Sequence, residues 1–284
     1  MKTGKLVLFD LDGTLVKAGG SGRLALNTAI DELYGAKDIC SRFSVMGRTD
    51  AENFTMAAQL ACGKKSGREV FNTVSKRYLT HLPNEVSLAV KTGRYELIKG
   101  IKQFLALLEK SGVAYGLGTG NVREGAYIKL GPSGLSEKFL FGGFGGDGLR
   151  RAHVLKAAVK RAEKFLKTKF DPSQVYIVGD TENDVMAAKE NGYHSAAVTS
   201  GFGDEKSLMH VAPELLEKDY ADLYPWTLWL GLKHDPKAVE RGCYICPDSA
   251  IDHVFYSRTG LDALSLRANV AKFRKKKKAD AGLA

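Results

Sequence analysis

Cysteine is scarce: Cys40, Cys62, Cys243 and Cys246 are the four in 284 residues. A disulfide-stapled scaffold needs a far denser set of thiols, so that class is not expected and a reducing cytoplasm is the expected setting. Long apolar runs are missing as well. The stretch from Leu223 to Leu232 is too short to cross a bilayer, and the first apolar run is broken by Asp10. Neither a membrane span nor a secretory leader is therefore expected. There is no internal repeat and no long low-complexity segment. The glycine-rich run Phe141-Gly142-Gly143-Phe144-Gly145-Gly146 lacks a ribose-binding acid at the spacing that follows a dinucleotide-binding loop, so it reads as a loop near the site. What is present, 44% hydrophobic and 26% charged residues, is ordinary for a globular protein. The length allows one core with an inserted module, or two domains.

The most informative segment runs from Leu6 to Val16. Leu6-Val7-Leu8-Phe9 reads as a buried strand that delivers Asp10 and Asp12 into a turn at Gly13, the place where a parallel sheet puts its chemistry. An extended backbone points residues two apart the same way, and glycine lets the chain swing close to a ligand. One carboxylate can attack while the other handles protons. Such a pair also suits Mg2+, which is commonly held by one or two carboxylates beside substrate phosphate. Taken alone, two acids at a strand end equally describe a solvated turn.

Further strand-to-loop junctions decide between these readings. Val113 to Gly118 runs into Thr119-Gly120-Asn121, where a hydroxyl and closely spaced amides can cradle an anion ahead of a helix. Val175 to Val178 runs into Gly179-Asp180-Thr181-Glu182-Asn183-Asp184, followed by a helix closed at Asn191-Gly192. Asp180 and Asp184 form a second acidic pair, although Asp184 by itself also fits a plain helix-start acid favoured by the dipole.

Together, Asp10-Leu11-Asp12-Gly13-Thr14-Leu15, Thr119-Gly120-Asn121 and Gly179-Asp180-Thr181-Glu182-Asn183-Asp184 resemble the signature motifs of the haloacid dehalogenase superfamily, and most closely its phosphoglycolate phosphatase-like branch. The resemblance implies a doubly wound, Rossmann-like α/β core of residues 1–18 and 96–222 and a helical cap of residues 19–95; after Gly201 the family pattern fades, and residues 223–284 read as a C-terminal extension with a basic tail. It implies Asp10 as the nucleophile that becomes an aspartyl-phosphate, and Asp12 as general acid and then base. Mg2+ would be held by Asp10, the main-chain carbonyl of Asp12 and Asp180, with Asp184 in support. Thr119, with the amides of Gly120 and Asn121, would bind phosphoryl oxygens. The acid at position 12 favours a phosphatase or a phosphomutase over a dehalogenase, because an alkoxide needs a proton to depart and a halide does not. The substrate class implied is a small phosphorylated metabolite; the alternatives are a sugar phosphomutase and a non-enzymatic binding module.

The lysine that the family places ahead of the last motif has no obvious counterpart. Arg151 fits best, as a guanidinium can bridge two oxyanions. Lys129 competes, either as a cation at the phosphate or as a solvent-facing helical lysine. Between Gly19 and Tyr95 the periodicity is helical, with a helix from about Gly22 to Leu33 and capping boxes at Thr49-Asp50-Ala51-Glu52 and Ser66-Gly67-Arg68-Glu69. Within it, Arg48 in Gly47-Arg48-Thr49-Asp50 is a candidate contact for the leaving group, the plainer account being a surface cation before a helix cap. A helix and edge strand are expected within Pro213 to Asp222, and the tryptophans Trp226 and Trp229 read as packing anchors. Cys243 and Cys246, with His234 and His253, fit either a zinc site or two buried thiols. The formal net charge of +10 is concentrated in part at Lys272, Arg274, Lys275, Lys276, Lys277 and Lys278, which read as a solvated end more readily than as a nucleic-acid site.

Overall fold

A computed structural model describes residues 4–63 and 67–232. The Cys243/Cys246 pair, the histidines beside it and the basic run from Lys272 lie outside the described residues, as does Ser66. In chain order the elements are β1 (Leu6–Phe9), β2 (Val16–Ala18), α1 (Ser21–Tyr34), α2 (Asp50–Cys62), α3 (Arg68–Lys91), β3 (Tyr95–Leu97), α4 (Ile101–Lys110), β4 (Ala114–Gly118) and α5 (Arg123–Leu130). They continue with β5 (Gly142–Gly143), α6 (Arg151–Leu166), β6 (Val175–Gly179), α7 (Glu182–Glu190), β7 (His194–Val198), α8 (Glu205–Val211), β8 (Leu215–Glu217) and α9 (Tyr224–Trp229).

Six strands form one sheet in the order β5-β4-β1-β6-β7-β8, and every pairing in it is parallel. Each residue of β1 is buried because both faces of the sheet are covered. Val7 and Phe9 point to a core shared with α4, α5 and α9, while Leu6 and Leu8 point to a second core under α6 and α7. This is the doubly wound arrangement that the apolar, non-alternating strand sequences lead one to expect. After β1 the chain passes to β4 on one side and only later to β6 on the other. The carboxyl ends of β1, β4 and β6 thus meet where the strand order switches, the usual position of a ligand crevice.

The helices α1, α2 and α3 bury a separate apolar cluster that includes Leu26, Ile30, Phe54, Val74, Tyr78 and Leu82. Chain enters and leaves this module through the antiparallel pair β2 and β3, with Val16 opposite Leu97. Thr49 caps α2 with the full capping box to Glu52, as its sequence suggests, and α1 ends at Gly35 in the left-handed conformation. The helix α3 starts at Arg68 with Gly67 at its N-cap and no side-chain cap there.

Three features differ from the sequence reading. Gly142 and Gly143 are a two-residue edge strand instead of loop, too short for any periodicity to reveal. Residues 213–222 supply the edge strand β8 but no helix; helices flank the segment as α8 and α9. The core also runs past residue 222. Trp226 is fully buried against Phe104 and Tyr220, with ring centroids 4.9 and 4.8 Å away, so residues 223–232 complete the core.

Candidate active site

Asp10 follows β1 directly, and its N–H donates to the Val178 carbonyl of β6 at 2.9 Å. Asp180 follows β6, Thr119 follows β4, and Asp184 lies in the first turn of α7. Fold topology alone therefore gathers residues 10, 119, 180 and 184. Gly13 sits at φ 80°, and a side chain there would collide with the Asp180 carboxylate, which explains glycine at that turn.

Asp10, Asp180 and Asp184 each offer a carboxylate oxygen within 4.8 Å of the others, and all three are buried. Asp180 Oδ2 accepts the Phe202 N–H at 2.7 Å, whereas its Oδ1 is buried without a hydrogen-bond partner. Burial pushes the carboxyl of Asp180 well up, and the nearby Asp10 and Asp184 add to it. Asp10 is raised from its ordinary 3.8 to about 6, again chiefly by burial, with the Arg151 guanidinium pulling the other way. An orphaned buried oxygen beside two further carboxylates is a hard donor set that fits a divalent cation. Charge balance agrees: among the described residues, Asp10, Asp12 and Asp184 form their ion pairs with two cations, Arg151 and Lys129.

Arg151 opens α6 and is buried. Its NH1 donates to Asp10 Oδ1 at 3.2 Å, and its Nε lies 3.2 Å from Asp184 Oδ1, an ion-pair separation without hydrogen-bond alignment. Lys129, by contrast, never reaches Asp10. Its Nζ donates to Asp12 Oδ2 at 2.5 Å and to Asn121 Oδ1 at 2.6 Å. The solvent-facing reading of Lys129 is corrected: the residue is only 5% exposed, because α5 turns that face toward the sheet and α3. The two cations divide the carboxylates between them. Asn121 Nδ2 also donates to Asp12 at 3.0 Å and to Thr119 Oγ1 at 2.9 Å, so its side chain is committed to holding the loop.

Asp184 is the helix-start acid of its plainer sequence reading. Its Oδ2 accepts from the hydroxyl and N–H of Thr181 as a helix cap, while Oδ1 faces Arg151. Thr49 is more than a cap: its hydroxyl donates to the Leu149 carbonyl at 3.0 Å, tying the helical module to the core. Arg48 is half-buried and lines the cavity, without a hydrogen bond or ion pair among the described residues.

Two residues that the sequence analysis quotes within motifs but gives no role complete the floor. Asp50 lies in the first turn of α2; its Oδ2 accepts the Val122 N–H at 2.7 Å and its own N–H donates to the Gly120 carbonyl at 2.7 Å. Burial raises its carboxyl to about 6, with Lys129 opposing. Asn183 Nδ2 donates to the Gly47 carbonyl at 2.9 Å, and Gly47, at φ 67°, has no room for a side chain beside that amide. The loop 47–50 is thereby clasped to the sheet, and a cavity of about 480 Å³ lies between the carboxylates and the helical module. The motifs contain both residues, but their partners come from position in the fold.

Comparison with known proteins agrees with this arrangement. A family model described as haloacid dehalogenase-like hydrolase matches residues 5–192. Phosphoglycolate phosphatase 1 of Pseudomonas aeruginosa is 27% identical over 230 residues, spanning 78% of this chain and 79% of that protein. A phosphoglycolate phosphatase of Synechococcus elongatus is 30% identical over 128 residues, 45% of this chain and 58% of its own length. Among solved structures, a predicted phosphoglycolate phosphatase from Haemophilus somnus superposes with a TM-score of 0.57 at 21% identity, covering 78% of this chain and 97% of that one. A β-phosphoglucomutase from Clostridium difficile gives 0.59 at 16% identity over 80% and 96%. With two-thirds of its length matched by one family model and the acids of every motif gathered at one crevice, the chain belongs to the haloacid dehalogenase-like hydrolases.

Proposed function

We propose that the protein is a Mg2+-dependent phosphomonoesterase that acts on a small phosphorylated metabolite through an aspartyl-phosphate at Asp10. The observation that carries this reading is the separation of two carboxylates only two residues apart. Asp10 is buried against Arg151 among the metal-capable acids, while Asp12 is partly exposed to the cavity and held by Lys129 and Asn121. Attack and proton transfer are separate tasks, and carboxylates with separate partners can divide them.

An Asp10 carboxylate oxygen attacks phosphorus in line, and the bond from phosphorus to the leaving oxygen breaks. The proton on Asp12 passes to that oxygen, giving a neutral alcohol. Asp12, now a carboxylate, takes a proton from water as the water attacks phosphorus, which releases phosphate and restores Asp10. Thr119 Oγ1 and the Gly120 N–H support the transferring group, and Arg151 offsets charge between Asp10 and phosphate. Asp10, Asp180 and Asp184, with the main-chain carbonyl of Asp12, would hold Mg2+, which supplies neutralisation of the phosphoryl oxygens when bound. The helical module serves as a cap over the cavity that excludes water, with Arg48 beside the leaving group. The thiols of Cys40 and Cys62 are free, which supports a cytoplasmic setting. No described helix is long and apolar enough to cross a membrane.

The test is hydrolysis of a generic aryl phosphate with Mg2+ by the native protein and by Asp10→Asn, together with mass spectrometry of quenched turnover. Activity in the native protein alone, with a phosphoryl adduct on Asp10, is expected. Equal rates from both, or an adduct elsewhere, would remove the reading. Free phosphate from a hexose 1-phosphate, instead of its isomer, separates phosphatase from phosphomutase.

A further inference from the structure

Two helices that begin beside the cavity complete their own first turns. In α2 the Glu52 carboxylate accepts the N–H of the N-cap Thr49 at 3.0 Å, and in α7 the Asp184 carboxylate accepts that of the N-cap Thr181 at 3.2 Å. The helix α5, which follows Asn121 at the same cavity, has no such means. Its N-cap is Val122 and its third residue is Gly125, neither of which carries a polar side chain. Asp50 supplies the missing acid from 72 positions away, its Oδ2 accepting the Val122 N–H at 2.7 Å. The start of α5 therefore borrows its acceptor from the helical module.

That bond is one half of a two-point clamp. Asp50 is the first residue of α2, and its own N–H, which has no acceptor within that helix, goes to the Gly120 carbonyl at 2.7 Å. One residue of the module thus holds residues 120–122 at both ends. Around it, the Thr119 N–H donates to the Gly143 carbonyl at 3.1 Å, the Asn121 carbonyl accepts from Gly145 at 2.8 Å, and the Asn121 N–H reaches Thr119 Oγ1 at 3.3 Å. Of the four N–H groups from Thr119 to Val122, that of Gly120 alone has no partner among the described residues, so it is the one left for a phosphoryl oxygen. Gly120 itself is closely packed: a side chain there would meet the Arg48 carbonyl at 2.6 Å and Arg151 NH1 at 3.1 Å.

Resting on the phosphatase reading, we propose that Asp50 is a positioning residue that makes the phosphate-binding loop depend on the seating of the helical module. Its two bonds fix the peptide planes on either side of Asn121. They thereby set the Gly120 N–H and the Asn121 side chain, which in turn holds Asp12 and Thr119. With the module seated, the cradle for the transferring group is assembled. If the module lifts, both bonds break together and residues 120–122 lose the contacts that order them, so phosphoryl transfer is confined to the covered site. Asp50 acts through the loop and not on the alcohol, so its loss is felt equally whatever ester is bound.

The experiment compares the full-length native protein with Asp50→Ala, which removes the acceptor, and with Asp50→Asn, whose amide oxygen still reaches the Val122 N–H. With Mg2+ present, kcat/KM is measured on an aryl phosphate and on two alkyl phosphates of different size, together with inhibition by orthovanadate. Amide hydrogen exchange of the segment 119–123 is followed by mass spectrometry. Asp50→Ala should lose about tenfold to a hundredfold in kcat/KM, by one factor on every ester, with vanadate bound more weakly and exchange at 119–123 accelerated. Asp50→Asn should recover most of that loss. Val122→Pro deletes the donor at a residue whose φ of −60° suits proline, so it should reproduce the alanine result from the other side of the clamp, and it serves in place of Asp50→Ala should that variant fold poorly. The two changes combined should cost little more than either alone, because both remove the same bond. Unchanged kcat/KM in Asp50→Ala and Val122→Pro, a loss that asparagine does not recover, or a loss that varies with the alcohol overturns the inference, while turnover by the native protein keeps the phosphatase reading. Absence of turnover of every ester by the native protein overturns both.

Discussion

Replacing Asp10 by asparagine should abolish turnover and yet make the metal-free protein more stable. The Asp10 carboxyl is raised from 3.8 to about 6 in the folded chain because burial disfavours its charge by more than Arg151 repays. At about 1.36 kcal/mol per pKa unit, keeping it ionised costs the folded state about 3 kcal/mol. A raised folded-state pKa gives stability that is fully present below 3.8 and lost as pH rises through about 6. Asparagine keeps the shape and cannot ionise, and Arg151 retains Asp184 at 3.2 Å. In the presence of EDTA, Asp10→Asn should therefore exceed the native protein by about 1–3 kcal/mol at pH 8, or about 2–10 °C in Tm. The gap should close as pH is lowered toward 4.5. Thermal unfolding followed by circular dichroism across that range is the assay. A variant less stable than the native protein at pH 8, or a gap that ignores pH, refutes the argument that these acids are destabilising until a cation reaches them.

Other outcomes follow from the same geometry. Mg2+ at a hundredfold excess over its Kd should stabilise the native protein by about 2.7 kcal/mol at pH 8 and by much less at pH 5, where protons compete for Asp10 and Asp180; Asp180→Ala should remove the effect. Loss of the general acid in Asp12→Asn should slow hydrolysis of an alkyl phosphate by about 100- to 10,000-fold and that of an aryl phosphate with a good leaving group far less, as steady-state rates on the two esters will show. Trp226→Ala should cost about 3–5 kcal/mol in urea unfolding, since the indole fills the core beside Phe104 and Tyr220. His194 faces acceptors on both ring nitrogens, Glu214 Oε2 at 2.8 Å and the Ser173 carbonyl at 3.0 Å, so the protonated form is favoured and its pKa is raised. Its contribution is whole below 6.5 and disappears as pH rises through the folded value; His194→Gln should therefore be penalised more at pH 6 than at pH 9 in thermal unfolding.

Local chemistry determined part of this protein outright. Four apolar residues running into Asp10, a hydroxyl and amides after Val113 to Gly118, and an acidic pair after Val175 to Val178 are patterns within a few residues, and strand periodicity and turn chemistry are set at that range. They are enough to specify a parallel sheet, its crevice and the acids that line it. The capping box at Thr49 is legible for the same reason.

What the chain could not disclose by itself depends on residues far apart in sequence. Lys129 reads like any helical lysine until α5 packs with that face inward, and its pairing with Asp12 spans 117 positions. Arg151 takes Asp10 and Asp184 only because α6, packed against β4, β5 and α7, begins beside those two acids. Asp50 and Asn183 acquire their partners when the helical module is seated on the sheet. Burial decides whether a charge is a solvated ornament or a paired group with a shifted pKa, and burial is a property of the assembled fold, so tertiary structure alone allotted the two cations to two different carboxylates.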